Sequence, residues 1–318
     1  MLDSIYLIGG LITIVLSANF LIDGASSIAK KFHISDLVIG LTIIALGTSA
    51  PELTINIFSS LNGSSDLAIG NILGSNIANI LLILGVTSII IPLGVQKNTQ
   101  RIEIPLTLLA IVSMGVLAND RFFNNDSADI ISRSDGIILL LFFSIFMYYM
   151  VHMSLNGEEE PVQEEIKLLP LPKSIFFVLG GFIGLFLGGK YMVEGAVGIA
   201  KTFGMSESVI GLTIVAIGTS LPELAASIAA AMKKNADMAI GNVVGSNLFN
   251  VFLILGISST IHPIPLNPSS NLDIFVAGLA SVFLFLSTLI FGNRKIVRLE
   301  GILFLTTYVL YLLYRILM

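Results

Sequence analysis

The 318-residue chain contains no cysteine, which excludes disulfides and thiolate metal centres. It contains no tryptophan either, so any aromatic belt at a membrane–water interface must be built from its 7 Tyr and 20 Phe. Charged residues make up only 12% of the chain, and there are 3 histidines. His33, His152 and His262 lie near the ends of apolar runs, which argues against a histidine proton relay through a membrane. The first residues, Met1-Leu2-Asp3-Ser4, lack the positive region of a secretory signal, and the run after them is expected to be a retained first helix. The alternation of a membrane β-barrel is missing too. Instead the chain is 55% hydrophobic, with a mean hydropathy of +0.94. That composition describes a polytopic membrane protein and excludes a soluble globule.

Crossing a bilayer takes about 20 apolar residues in a helix. Ten such spans are expected, at about 4–29, 36–61, 66–92, 102–118, 134–153, 174–200, 206–232, 238–261, 272–291 and 297–316. The longest polar segment carries Glu158-Glu159-Glu160, Glu164 and Glu165 and reads as a solvated linker. It separates a first five-helix unit (1–153) from a second (174–318), with the linker at 154–173, all within one membrane domain.

The two units are repeats. Gly47-Thr48-Ser49-Ala50-Pro51-Glu52 returns as Gly218-Thr219-Ser220-Leu221-Pro222-Glu223, an offset of 171 residues. Gly70-Asn71-Ile72-Leu73-Gly74-Ser75-Asn76-Ile77-Ala78-Asn79 returns as Gly241-Asn242-Val243-Val244-Gly245-Ser246-Asn247-Leu248-Phe249-Asn250 at the same offset, and Asp23-Gly24-Ala25 aligns with Glu194-Gly195-Ala196. An odd number of spans per unit turns the second unit upside down relative to the first, the inverted-topology plan of secondary transporters. With the N-terminus outside, eleven Lys and Arg fall on the cytoplasmic side and four on the outer side, which supports that orientation, a C-terminus outside and the span count.

Each copy of Gly-Thr-Ser-x-Pro-Glu breaks an apolar helix and sets a carboxylate beside the break. Intramembrane acids are functional candidates by default. Pro51 cannot donate a backbone bond and its ring presses on the Gly47 carbonyl, so carbonyls from Ala45 to Thr48 are expected to leave the helix ladder. Thr48 and Glu52 share a helix face. Asn71, Ser75 and Asn79 form a polar stripe at i, i+4, i+8, copied by Asn242, Ser246 and Asn250. Carboxylate, hydroxyl, amide and carbonyl oxygens are hard ligands suited to Ca2+ or Na+. Glu52 and Glu223 together supply two negative charges, which one Ca2+ balances and several Na+ can replace. The glycines of Gly70-x-x-x-Gly74 and Gly241-x-x-x-Gly245 are expected to let their helices pack closely. Asn76, about 100° off the stripe, reads as a packing or capping residue.

The paired motifs resemble those of the sodium/calcium exchanger family of the calcium/cation antiporter superfamily, in a form without a large regulatory loop. The resemblance covers nearly the whole chain. It implies an all-α integral membrane fold of ten helices in two inverted repeats, and exchange of Na+ for Ca2+ by alternating access in a plasma (inner) membrane. It also implies that the first and sixth helices slide across a core made by the second, third, seventh and eighth. Carried onto this sequence, the implied ligands are Glu52, Thr48, Ser49, Ser75 and Asn79 with the Ala45 carbonyl, and Glu223, Thr219, Ser220, Ser246 and Asn250 with the Ala216 carbonyl. The ions are substrates, and no cofactor, nucleic acid or protein partner is implied. Asn at both 79 and 250, where some relatives carry Asp, argues against K+ co-transport. A Ca2+/H+ exchanger of the same fold stays open, since the ligand set suits both. An intramembrane serine hydrolase is disfavoured, because Ser49 and Ser220 have no intramembrane His or Lys to activate them. A passive channel is not excluded by the repeats. Asp36, Asp66, Asp237 and Glu207 read as helix-start acids, Asp23 and Glu194 as structural, with Lys190 placed to pair with Glu194.

Overall fold

A computed structural model describes residues 2–124, 128–156, 168–203, 216–290 and 294–317. Helix α1 (Leu2–Lys31) is followed by a broken pair, α2 (Asp36–Thr48) and α3 (Ala50–Leu61), bent by 48°. Next come α4 (Ser65–Ile90), α5 (Thr99–Leu117) and α6 (Arg133–Asn156). The second unit holds α7 (Leu171–Thr202), α8 (Ala216–Thr219), α9 (Leu221–Met232), α10 (Ala236–Ile261), α11 (Ser270–Ile290) and α12 (Arg298–Leu317). Among the described residues, eight helices are long and apolar enough to cross a membrane, and α2 with α3 makes a ninth, bent span. The helix α9 is apolar but shorter. Residues 204–215, the first part of the expected seventh span, lie outside the described residues, as do 157–167 of the expected linker.

Local signals set the helix ends. Ser35 caps α2 by accepting from the Val38 N–H at 3.3 Å, and Asn235 caps α10 by accepting from Met238 N–H at 3.0 Å. Asp36, Asp66 and Asp237 each sit in a first helical turn, as expected. The two halves finish their broken helices alike. Gly63 and Lys234 adopt left-handed φ of 70° and 59°, and Ser64 N–H and Asn235 N–H reach back to Ser59 and Ala230 carbonyls at 2.8 and 2.9 Å.

Two features were not expected from hydropathy. Widened π-helical turns occupy Gly40–Ile44, Ala78–Leu84, Thr99–Glu103 and Phe249–Leu255, the second and fourth at equivalent repeat positions. Two-residue strands also join the halves: β1 (Leu93–Gly94) pairs antiparallel with β4 (Lys295–Ile296), and β2 (Ile130–Ile131) pairs with β3 (Ile264–Pro265). These strands lie in the loops and leave the spans helical.

The molecule is built around α4 and α10, whose apolar windows are 78% and 89% buried, against 22% for α6 and α12. The long helices α1 and α7 pack on each other. A Cβ at Gly188 would stand 3.0 Å from the Gly10 carbonyl oxygen, so only bare backbone allows that approach. In the crossing of α2 with α10, a Cβ at Gly245 would lie 2.7 Å from the Leu41 carbonyl oxygen. Close packing is thus seen for Gly241 and Gly245 but not for Gly70 and Gly74, which have no described atom within 4 Å. The stretch equivalent to Leu37–Leu41 of α2, residues 208–212, lies outside the described residues. Lys190 lies 3.9 Å from Glu194, as expected, and Asp23 pairs with Lys233 at 2.7 Å, tying α1 to the end of α9.

Candidate cation site

Both breaks have the same backbone. Ser49 (φ −83°, ψ 7°) and Ser220 (φ −89°, ψ 6°) end one helical segment, and a proline just inside the next restarts it at an angle. The glutamate then falls in the first turn of the new helix, where free N–H groups favour a negative charge. Gly47 also leaves room for the Phe182 ring of α7, which occupies the space a Cβ would take.

Glu52 and Glu223 are each only 1% exposed, and they lie close enough to repel each other. Glu223 Oε1 accepts from Ser49 Oγ at 3.0 Å, and Glu52 Oε1 accepts from Ser75 Oγ at 3.4 Å. The threonines cross over as well, Thr48 lying beside Glu223 and Thr219 beside Glu52. Backbone carbonyls are held in parallel ways. Glu52 O accepts from Asn56 Nδ2 at 3.0 Å and Asn71 Nδ2 at 3.4 Å; Glu223 O accepts from Asn242 Nδ2 at 3.2 Å, and that amide also donates to Ser227 Oγ at 3.0 Å. Asn242 Oδ1 accepts from Thr48 Oγ1 at 3.1 Å, joining the halves again.

Six buried oxygens of these motifs have no hydrogen-bond partner among the described residues: Glu52 Oε2, Glu223 Oε2, Asn79 Oδ1, Asn250 Oδ1, Ser220 Oγ and Ser246 Oγ. An unpaired buried acceptor costs about 1–3 kcal/mol, and a charged one more. Four of the six form two repeat pairs, and the other two, Ser220 and Ser246, are the repeat counterparts of Ser49 and Ser75, so they are a property of the plan rather than isolated defects. Among the described residues no three His, Cys, Asp or Glu side chains converge, so the formal charge of the site comes from the two glutamates. Hard neutral oxygens around two carboxylates are the donor set of Ca2+ and Na+.

The chain matches the family described as sodium/calcium exchanger protein over residues 3–152 and 173–317. It belongs to the sodium/calcium exchanger family. It is 38% identical over 317 residues to the putative antiporter CaxA of Alkalimonas amylolytica, covering 97% of each chain. It is 31% identical to the sodium/calcium exchanger MaX1 of Methanosarcina acetivorans, covering 95% of each. Its fold is similar to that of the sodium-calcium exchanger NCX_Mj, with a TM-score of 0.82 at 34% identity, covering 98% of this chain and 97% of that one. The family is one of transporters rather than enzymes, and this exchanger is a multi-pass membrane protein.

In this exchanger the expected ligand residues are distributed unevenly. Glu52, Glu223, Thr48, Ser49, Thr219 and Ser75 meet around the two carboxylates. Ser220, Ser246, Asn79 and Asn250 contribute unpartnered oxygens. The Ala45 carbonyl does not leave the ladder: it accepts from Ser49 N–H at 3.0 Å, and the Thr48 hydroxyl also lies 3.4 Å from it. Pro51 removes a donor further along, so the break does not reach back to Ala45. Ala216 begins α8 directly after undescribed residues. The stripe Asn71, Ser75, Asn79 divides, the first two turning to Glu52 and the third to Asn247. Two residues that bond to the site's groups have no part in the reading of the amino-acid sequence, Asn56 and Ser227, while Asn76, read there as a packing or capping residue, and Asn247 meet Asn250 and Asn79. The first two lie four residues after each glutamate, in equivalent positions, and that spacing was the available signal.

Proposed function

We propose that this exchanger is a secondary antiporter that moves Na+ and Ca2+ in opposite directions by alternating access. The ions are held by Glu52 and Glu223 with oxygens of Asn79, Asn250, Thr48, Ser49, Thr219, Ser220, Ser75 and Ser246 and the Ala45 and Ala216 carbonyls. The observation that carries this reading is the set of six unpartnered buried oxygens, two of them carboxylate. Ca2+ takes 6–8 oxygen ligands, and its charge balances the two glutamates. Na+ competes for the same hard oxygens. That NCX_Mj was soaked with Na+ and Ca2+ supports the same pair of ions here.

Alternating access follows from a plan of ten spans in two inverted five-helix repeats, 1–153 and 174–318 with a linker at 154–173. The matched breaks, matched helix ends, matched π-helical turns and crossed strand pairs support it. In this arrangement both termini lie outside, as the Lys and Arg distribution favours, and the membrane is the plasma (inner) membrane, a reading supported by the likeness to the inner membrane protein YrbG of Escherichia coli.

The test is uptake of radiolabelled Ca2+ into proteoliposomes. An outward Na+ gradient at fixed pH should drive accumulation. Uptake driven only by a pH gradient would replace Na+ with H+, and failure to accumulate Ca2+ against its own gradient would make the protein a channel.

A further inference from the structure

Asn76 and Asn247 lie off the ligand stripe, yet both are buried, with 1% and 2% exposure. Each meets a ligand residue of the opposite half. Asn79 Nδ2 donates to Asn247 Oδ1 at 2.9 Å, and Asn250 Nδ2 donates to Asn76 Oδ1 at 3.0 Å. The two bonds are related by the repeat and run in opposite directions between α4 and α10. In both, the ligand residue uses its NH2 end, and in both its Oδ1 is left without a partner.

We propose that Asn76 and Asn247 are positioning residues that form a crossed amide clamp, anchoring the NH2 ends of Asn79 and Asn250 so that both Oδ1 atoms face the transported cation. This rests on the cation reading of the site given above. A side-chain amide has one acceptor end and one donor end, and the terminal torsion exchanges them at little cost. Unanchored, the amide can present N–H to a cation, which repels it. Anchored, it presents a neutral oxygen, and the charge of the site stays with Glu52 and Glu223. Asn76 leaves its own Nδ2 without a partner, a penalty that a residue kept only to fill space avoids, since leucine has nearly the same size. Because each bond crosses between halves, the orientation of each ligand depends on the apposition of α4 with α10.

The experiment measures Ca2+ affinity of the purified full chain by titration calorimetry in Na+-free buffer. Asn247→Leu removes the acceptor and should weaken Ca2+ binding about tenfold, the worth of one buried hydrogen bond. Asn247→Asp keeps an acceptor for Asn79 Nδ2 and should bind within about threefold of wild type or tighter, whereas a packing role predicts the reverse order. In an Asn79→Ala background, Asn247→Leu should have no further effect. Wild-type affinity in Asn247→Leu, or a full additional loss in the Asn79→Ala background, overturns the clamp. Should Asn247→Leu fail to fold, Asn76→Leu against Asn250→Ala makes the same measurement on the other bond. Glu52→Gln serves as the separating control. If it loses Ca2+ binding while Asn247→Leu does not, only the clamp fails; if it also binds normally, the cation reading itself fails.

Discussion

Replacing Glu223 by glutamine tests the site most directly, because it changes the charge and almost nothing else. The side chain keeps its size, and a carbonyl oxygen remains to accept the 3.0 Å bond from Ser49 Oγ. What is lost is one of the two negative charges at a place that is 1% exposed. With a Ca–O separation of about 2.4 Å and an effective dielectric of about 20, the attraction between the divalent ion and one negative charge is about 14 kcal/mol. Desolvation of the carboxylate and of the ion, which the amide largely avoids, and the pull that the amide oxygen still exerts on the ion offset most of this, leaving a net loss on the order of 3 kcal/mol. Ca2+ affinity should therefore fall by about two orders of magnitude. In proteoliposomes, Na+-driven Ca2+ uptake should drop to background at Ca2+ concentrations that saturate the wild type. Thermal unfolding separates this from misfolding, with opposite signs for the two conditions. In chelator, without Na+, two buried carboxylates repel each other in the wild type and one does not in the variant, so the variant should melt at the higher temperature. Added Ca2+ should raise the melting temperature of the wild type and leave that of the variant unchanged. Wild-type exchange in Glu223→Gln, or a Ca2+-induced shift of normal size, refutes the assignment of this carboxylate to the ion.

Ser49→Ala removes the donor to Glu223 Oε1 and should weaken Ca2+ binding about tenfold with normal membrane insertion, as read by titration of the purified protein. Gly245→Val drives a side chain into the Leu41 carbonyl, and the unfolding midpoint should fall by the equivalent of about 2 kcal/mol or more. Tyr149→Phe takes the hydroxyl donor away from the buried Glu103 that joins α5 to α6, and should cost about 2 kcal/mol in denaturant unfolding while leaving Ca2+ affinity unchanged. Lys233→Gln breaks the 2.7 Å pair with Asp23, but both side chains are partly exposed, so stability should change by less than about 1 kcal/mol.

Nine of the expected spans, the two breaks and both glutamates were legible in the amino-acid sequence because each is a local property. A run of apolar residues must form a helix in lipid whatever surrounds it. Pro51 and Pro222 remove a donor wherever they stand. A constant offset of 171 residues needs no coordinates to be seen. The partners across the molecule were decided only by the fold. Reading Asn71, Ser75 and Asn79 as one stripe assumes a constant helical period. The π-helical turn beginning at Ala78 breaks that period, so Asn79 turns away from Glu52 to Asn247. The same residue type thus donates across the halves at 79, to Asn247, and accepts at 76, from Asn250, although only three positions separate them. Close packing at Gly245 is another such case, since a glycine permits an approach and only a neighbouring helix can make it. Hydrogen bonds between repeats depend on how two helices meet in space, which a linear pattern constrains only to a face. The amino-acid sequence therefore specified which oxygens are candidates for a cation, and the contacts within and between the halves decided which of them have no partner among the described residues.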